Sequence, residues 1–288
     1  MPAVALTDLG NLFAMVRFYR AAMAAGVKPI IGVDALVDEG ESLPPTRLLL
    51  LCQDRRGYLN LCELLSLGYT DGQHHGVPQL RRDWVEERAE GLIALSGARE
   101  GDIGQALLAG HPNRARKLAA DWSRTFPGRF YIEIQRTGRE QEESYEAGAL
   151  SLAADCGLPV VPTNDVRFLD RGDFKAHEAR VCIHDGRQLS DKRREVRYSE
   201  EQYLKSGEEM AELFSDLPEA VENSYHLAAR CNLELQFGTY FLPDFPTPDG
   251  MTIADLLRHD AEKGLLARFE VTPPCPEYTE EVYRERLE

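Results

Sequence analysis

The sequence predicts an α/β fold, and three observations carry that expectation. Six short aliphatic runs recur through the first 165 residues with helix-period stretches between them. Strands separated by helices in this way are expected to run parallel and to be buried on both faces. Three of the runs, Pro2 to Asp8, Pro29 to Asp34 and Pro159 to Asp165, begin with proline, pass through small or β-branched residues and end in aspartate.

The first run, Val4 to Leu6, leads into a helix expected over 12–25, where Leu12, Val16, Tyr19 and Met23 share a face. Asn11 can cap its start and Gly26 suits the position just past its end. Lys28 to Ile31 and Leu48 to Leu51 are the next strands, followed by a helix near 57–68 and a strand at Leu92 to Leu95. Helices near 102–126 precede a strand at Phe130 to Ile134. A helix carrying Tyr145, Ala149, Leu152 and Cys156 on one face then stops at Gly157, before a strand at Pro159 to Val161. Ligands of parallel sheets and barrels bind outside the carboxyl ends of the strands, so Asp8, Asp34 and Asp165 are expected to meet on one rim.

From about residue 199 the pattern turns helical. Ser199-Glu200-Glu201-Gln202 and Ser206-Gly207-Glu208-Glu209 read as acidic helix starts, and a long pattern covers 218–231. Prolines at 243, 246 and 248 exclude helix and central strand, so 241–250 is expected to be a linker. A helix over Thr252 to Phe269 and another over Thr279 to Glu288 follow. The last forty residues are too few for a core of their own, which suggests the opening of a further domain.

Composition narrows the class. With 43% apolar and 28% charged residues the chain is an ordinary globular one. Its longest uninterrupted aliphatic stretch, Leu48 to Cys52, is far short of the roughly 20 residues of a membrane helix. A soluble, cytoplasmic protein with no membrane partner is expected. A balance of 33 basic against 48 acidic residues, net −15, disfavours strong binding to a polyanion. Arg55-Arg56, Arg81-Arg82 and Lys192-Arg193-Arg194 all have acidic neighbours and read as solvated surface. The six cysteines show no zinc spacing and read as reduced core thiols. The histidines are scattered, with His74-His75 in a glycine-flanked loop and His177 and His184 on one helix.

Taken in order, a set of segments resembles a known family: the polymerase and histidinol phosphatase (PHP) domain at the amino end of the alpha subunits of bacterial replicative DNA polymerase III. The segments are Ala5-Leu-Thr-Asp8 with Asn11-Leu12, Gly26-Val-Lys-Pro-Ile-Ile-Gly-Val-Asp34, Gly57-Tyr-Leu-Asn-Leu61 and Gly91-Leu-Ile-Ala-Leu-Ser-Gly97. Glu133-Ile-Gln-Arg-Thr-Gly138, Pro162-Thr-Asn-Asp-Val-Arg-Phe168, Ala176-His-Glu178 and Tyr240-Phe-Leu-Pro-Asp-Phe-Pro246 complete the set. The resemblance implies a distorted seven-stranded βα (TIM-like) barrel, here lacking its first strand, with helices leading toward a polymerase palm. It implies a PHP domain over 1–240, a proline-rich linker over 241–250 and the beginning of the palm region over 251–288. The missing strand is expected to be encoded upstream of Met1, since a barrel without it exposes two edges; an in-frame stop just before Met1 would refute this.

Active relatives hold up to three metal ions at the carboxyl rim and hydrolyse phosphate esters. Here that pattern is broken. Besides the absent His-x-His strand, Leu9 stands where a histidine is expected, Asp34 replaces a glutamate, and Arg47 and Arg167 replace histidines. Ala98 takes the place of a cysteine or histidine, while Asp8 and Asp165 are retained. A trinuclear phosphoesterase needs imidazole and carboxylate ligands to neutralise its cations and acidify bound water. Arginine stays protonated and only donates, so Arg47 and Arg167 bring positive charge to the metal position. The expectation is an ion-pair network in place of metal, in which Arg167 and Arg47 compensate Asp8, Asp34 and Asp165. A plainer alternative is that the three aspartates only cap turns and helix starts.

The palm motifs of the family, a Pro-Asp-x-Asp-x-Asp carboxylate pair and a Gly-Arg-Gly-Ser stretch, do not occur in these 288 residues. The resemblance therefore implies a part of a DNA-directed DNA polymerase, a nucleotidyltransferase of DNA replication, that is itself without catalysis, metal or cofactor. The parent's Mg2+ would be held by residues outside this chain. The implied work is structural: supporting the palm and thumb of the alpha subunit and offering a docking surface to the proofreading exonuclease subunit, with DNA met through the parent. A metal-dependent PHP phosphoesterase and the error-prone polymerase relative are the alternatives.

Overall fold

The computed structural model describes residues 1–38, 40, 44–191, 193–240, 242 and 245–287. Contacts divide the chain into Met1–Glu234 and Leu235–Glu288. In the first unit the elements follow the alternation read from the sequence. They are β1 (Ala3–Leu9), α1 (Met15–Ala24), β2 (Lys28–Asp38), β3 (Thr46–Cys52), α2 (Arg55–Thr70), β4 (Gln73–His74), β5 (Val77–Pro78), β6 (Leu80–Arg81), α3 (Arg82–Glu87) and β7 (Leu92–Leu95). After these come α4 (Asp102–Leu108), α5 (Pro112–Thr125), β8 (Phe130–Gln135), α6 (Glu142–Cys156), β9 (Val160–Thr163), α7 (Phe174–His184), α8 (Gly207–Leu213) and α9 (Pro218–Arg230).

The main sheet runs β1-β2-β3-β7-β8-β9, with β6 added beside β2, and curls into a TIM-like half-barrel with helices outside. One expectation fails here, because the sheet is not wholly parallel: β3 is antiparallel to both β2 and β7. No helical pattern separates Ile31 from Leu48, and a parallel return needs a crossover of about a dozen residues or more. The remaining neighbours along the path, β1-β2, β7-β8 and β8-β9, are parallel.

Local chemistry explains most element ends. Asp54 caps α2 by accepting from the Gly57 amide at 2.9 Å. Gly26, with φ of 70°, ends the α1 turn in the left-handed region that suits glycine. Asn11, however, does not cap a helix. Its side chain accepts from the Phe13 amide at 3.0 Å, and α1 begins only at Met15. The buried face of α1 is Met15, Tyr19 and Ala22, whereas Val16 and Met23 are exposed, so the helix is turned from the face expected. His74 lies in a short hairpin rather than a loop.

Beneath the rim, Ile30, Leu51, Ile93, Leu95, Tyr131 and Val161 project inward and meet Leu227 of α9 and Cys231. The α9 segment thereby closes the amino end of the half-barrel. Lys28 fixes it there, donating to Ala228 O at 2.7 Å and Asn232 Oδ1 at 2.9 Å, while Arg230 donates to the Tyr131 hydroxyl at 2.7 Å. On the outer layer Asp102 is buried. It accepts from Trp122 Nε1 at 2.8 Å, and the Arg82 guanidinium lies 4.1 Å from the centre of that indole ring.

In the second unit, α10 (Ile253–Val271) starts at a capping box in which Thr252 and Asp255 satisfy each other's backbone amides, and α11 (Glu280–Leu287) follows. Phe269 of α10 meets Tyr283 of α11 edge-on at 5.4 Å. Of the linker expected at 241–250, residues 241, 243 and 244 lie outside the described residues. Among the described residues no helix is long and apolar enough to cross a membrane.

Candidate functional site

A cavity of 590 Å³ opens along the inner face of the half-barrel between β1 and β9. Its floor is apolar, with Ile30, Leu51, Leu95, Val161 and Leu227. Its upper wall is polar and carries Asp34, Arg47, Glu100, Glu133, Gln135, Thr163 and Asp165. Strand alternation makes this division, since residues two apart on one strand share a face. Ile30 and Asp34 of β2, Arg47, Leu49 and Leu51 of β3, and Glu133 and Gln135 of β8 all lie at matching registers.

Arg47 stands at the centre of the charged wall. Its Nη1 donates to Asp34 Oδ2 at 2.8 Å and lies 3.7 Å from Asp165 Oδ1, while its Nε lies 2.8 Å from Glu100 Oε2. Arg167 Nη2 donates to Asp165 Oδ1 at 2.5 Å, and Arg139 Nη1 donates to Asp165 Oδ2 at 3.0 Å. Three guanidinium groups therefore converge on one aspartate. Asp165 itself sits past the end of β9 at φ of 42°, a left-handed conformation that Asp tolerates better than most residues. Gly97 permits the approach of the 97–101 turn, because a Cβ there would lie 2.2 Å from the carbonyl oxygen of Arg47.

Burial governs the protonation of this wall. Desolvation raises the Asp34 pKa to about 6 against the opposing pull of the Arg47 guanidinium. Glu133, wholly enclosed, is pushed up to about 7 by burial, with the charges of Asp34 and Asp165 adding to the rise. Its Oε1 accepts from Thr163 Oγ1 at 2.5 Å and Gln135 Nε2 at 3.0 Å. Neutral donors thus serve Glu133 where a cation could have stood.

Not every residue singled out from the sequence joins this network. Asp34, Arg47, Asp165 and Arg167 do. Asp8 borders the same cavity but does not join: in the β1-β2 register Leu9 is paired with Asp34 and Asp8 with Val33, one step out of phase with Asp34. The Asp8 side chain makes no ion pair or hydrogen bond among the described residues. The expectation that three strands end on carboxylates at one rim is corrected further, since β2 continues past Asp34 to Asp38. Leu9 is exposed, and Ala98 is buried in a short 3-10 turn after β7. Sequence reasoning missed Arg139, Glu100, Glu133, Gln135 and Gln202. The one available signal was a glutamate inside the apolar run Phe130 to Ile134, because a buried charge on a strand is uncommon.

The donor set does not fit a divalent cluster. Arg47 occupies the space between the two rim aspartates, and a guanidinium offers no lone pair to a cation. Among the described residues no three His, Cys, Asp or Glu side chains are placed to hold a metal ion.

Residues 1–137 match the family model described as the PHP domain, a TIM-like fold. Over this region, just under half of its length, the chain is similar to that family. Over its full length it is similar to DNA polymerase III subunit alpha. It is 54% identical to that protein of Pseudomonas aeruginosa, 47% to that of Escherichia coli K12, and 47% to that of Xylella fastidiosa Temecula1. In each case the whole of this chain is covered, and it spans about a quarter of the relative's length, 24 to 25%.

Proposed function

We propose that this chain serves DNA replication as the PHP region of a DNA polymerase III alpha subunit, and that within it the barrel is a metal-free scaffold. The observation that carries the reading is Arg47 Nη1, 2.8 Å from Asp34 and 3.7 Å from Asp165, where active family members use metal ligands. Fixed positive charge there does the neutralising work of a divalent ion but activates no water. The chemistry of nucleotidyl transfer, with its Mg2+, belongs to the parts of the parent outside these 288 residues. Full-length similarity to alpha subunits supports that division of labour.

The scaffold role includes holding the remainder of the alpha subunit and presenting a docking surface to the proofreading exonuclease subunit. The acidic balance of −15 suits a protein-facing part better than a DNA-facing one. Purified chain, incubated with Zn2+ or Mn2+ and desalted, should carry no stoichiometric metal and should not hydrolyse a phosphodiester or phosphomonoester. Stoichiometric metal together with a chelator-sensitive phosphoesterase activity would instead establish the enzyme reading.

A further inference from the structure

Residues 199–205 have no regular secondary structure, although Ser199 to Gln202 reads as a helix start. They fold back over the carboxyl rim through a specific set of bonds. Ser199 Oγ donates to Thr137 O at 2.5 Å, tying one end to the loop after β8. Asn164 Nδ2 donates to the carbonyl oxygens of Glu201 and Tyr203, each at 2.8 Å, tying the middle to the end of β9. The Arg167 amide donates to Gln202 O at 2.8 Å, and the Leu204 amide to Phe168 O at 3.1 Å. Gln202, with no exposed surface, donates through Nε2 to Asp165 Oδ2 at 2.8 Å and to Asp165 O at 3.1 Å.

Asp165 Oδ2 is therefore shared between Arg139, which belongs to the barrel, and Gln202, which belongs to the overlying segment. The residue just before the segment adds a second link to the rim, because the Arg167 guanidinium that pairs with Asp165 also lies 5.5 Å from the ring centre of Tyr198. Its hold on the barrel comes mainly from these polar bonds rather than from buried apolar side chains, the composition expected of an element that opens on its own. Such an element closes cooperatively when its bonds converge on shared partners.

We propose that residues 199–205 are a strap that closes over the carboxyl rim as a single unit, with Gln202 as its latch on Asp165. Closed, the strap covers Asp165 and Arg139. Open, it exposes the ion-pair network to solvent while the sheet beneath stays folded. Gln202 is a positioning residue in this device, acting on the rim through Asp165. The inference goes beyond the scaffold reading and does not depend on it, since its readout lies entirely in this chain.

Amide hydrogen exchange resolved by residue tests the strap, using Ser199→Ala and Gln202→Ala. Either variant should speed exchange of the Arg167 and Leu204 amides by roughly tenfold or more, while the Ser96 and Ile132 amides of the sheet keep their wild-type rates. Ser199→Ala is the milder change, and it lies at the far end from Leu204. If it moved only the Glu201 amide, which donates to Ser199 Oγ at 3.2 Å, the segment would not be one unit and the proposal would fail. Faster exchange of the sheet amides in step with the strap amides would also overturn it, because the strap would then open only with the barrel.

Discussion

Replacing Arg47 by alanine is the perturbation that bears most directly on the rim. Asp34, with its side chain only 12% exposed, has Arg47 as its one ion-pair partner among the described residues. Asp165 retains Arg139 and Arg167, and Glu100 retains Arg139 and Arg99, so the loss falls mainly on Asp34. Stranding a buried carboxylate costs about 3 to 5 kcal/mol, and the lower figure is expected here because Asp34 can take up a proton. A loss of about 3 kcal/mol in a domain of this size lowers Tm by roughly 6 to 12 °C. The loss should be largest at pH 7 and above and shrink toward pH 5, where the stranded Asp34, its pKa already about 6 beside Arg47, is neutralised. Calorimetry at both pH values measures this. Arg56→Ala is the control: its partner Glu90 and Arg56 itself are 63% and 66% exposed, and such a pair contributes about 0 to 1 kcal/mol. If Arg47→Ala lowered Tm no more than Arg56→Ala at pH 7, the network would not hold the rim together.

Three further outcomes are expected. Arg167→Ala should lower Tm by less than Arg47→Ala, since Asp165 keeps Arg139 and Gln202, and should leave any activity of the parent unchanged; equal melting temperatures for variant and wild type would count against the pairing. Glu133→Gln should raise stability at pH 8 by about 1 to 3 kcal/mol, with the gain fading as pH falls through 7 and gone near pH 4.5, as urea unfolding across that range would show. The sign follows because a carboxyl whose folded pKa lies above its unfolded one costs stability from the unfolded pKa upward, where the unfolded chain sheds the proton more readily, and the cost levels off above the folded pKa. Trp122→Phe should cost about 1 to 3 kcal/mol beyond its lost volume, because buried Asp102 then loses its indole donor; Trp122→Phe with Asp102→Asn should recover part of that loss in the same assay.

The sequence made legible what depends on short-range pattern. The positions of β1, β7, β8 and β9 follow from aliphatic runs, and the ends of α1 and α6 from Gly26 and Gly157, both at positive φ. Strand direction was not legible at β3, because an aliphatic run reads the same in either direction and only the missing crossover helix betrays the return. The rim was half legible for a related reason. Arg47 and Arg167 stand at positions where the family's pattern has histidine, so they drew attention as substitutions. Arg139 and Gln202 replace nothing in that pattern, and their convergence on Asp165 is created by tertiary folding of segments 26 and 37 residues away in sequence. Asp8 was misread because it stands one step out of phase with Asp34, which composition cannot show but register can.

Crystals grown in excess Mn2+, with data collected where manganese scatters anomalously, provide the most direct measurement of whether guanidinium charge stands in for metal at this rim. The expected map shows the Arg47 guanidinium between Asp34 and Asp165 and no anomalous peak within bonding distance of either carboxylate. Strong anomalous peaks at those carboxylates, with Arg47 swung away, would contradict the account.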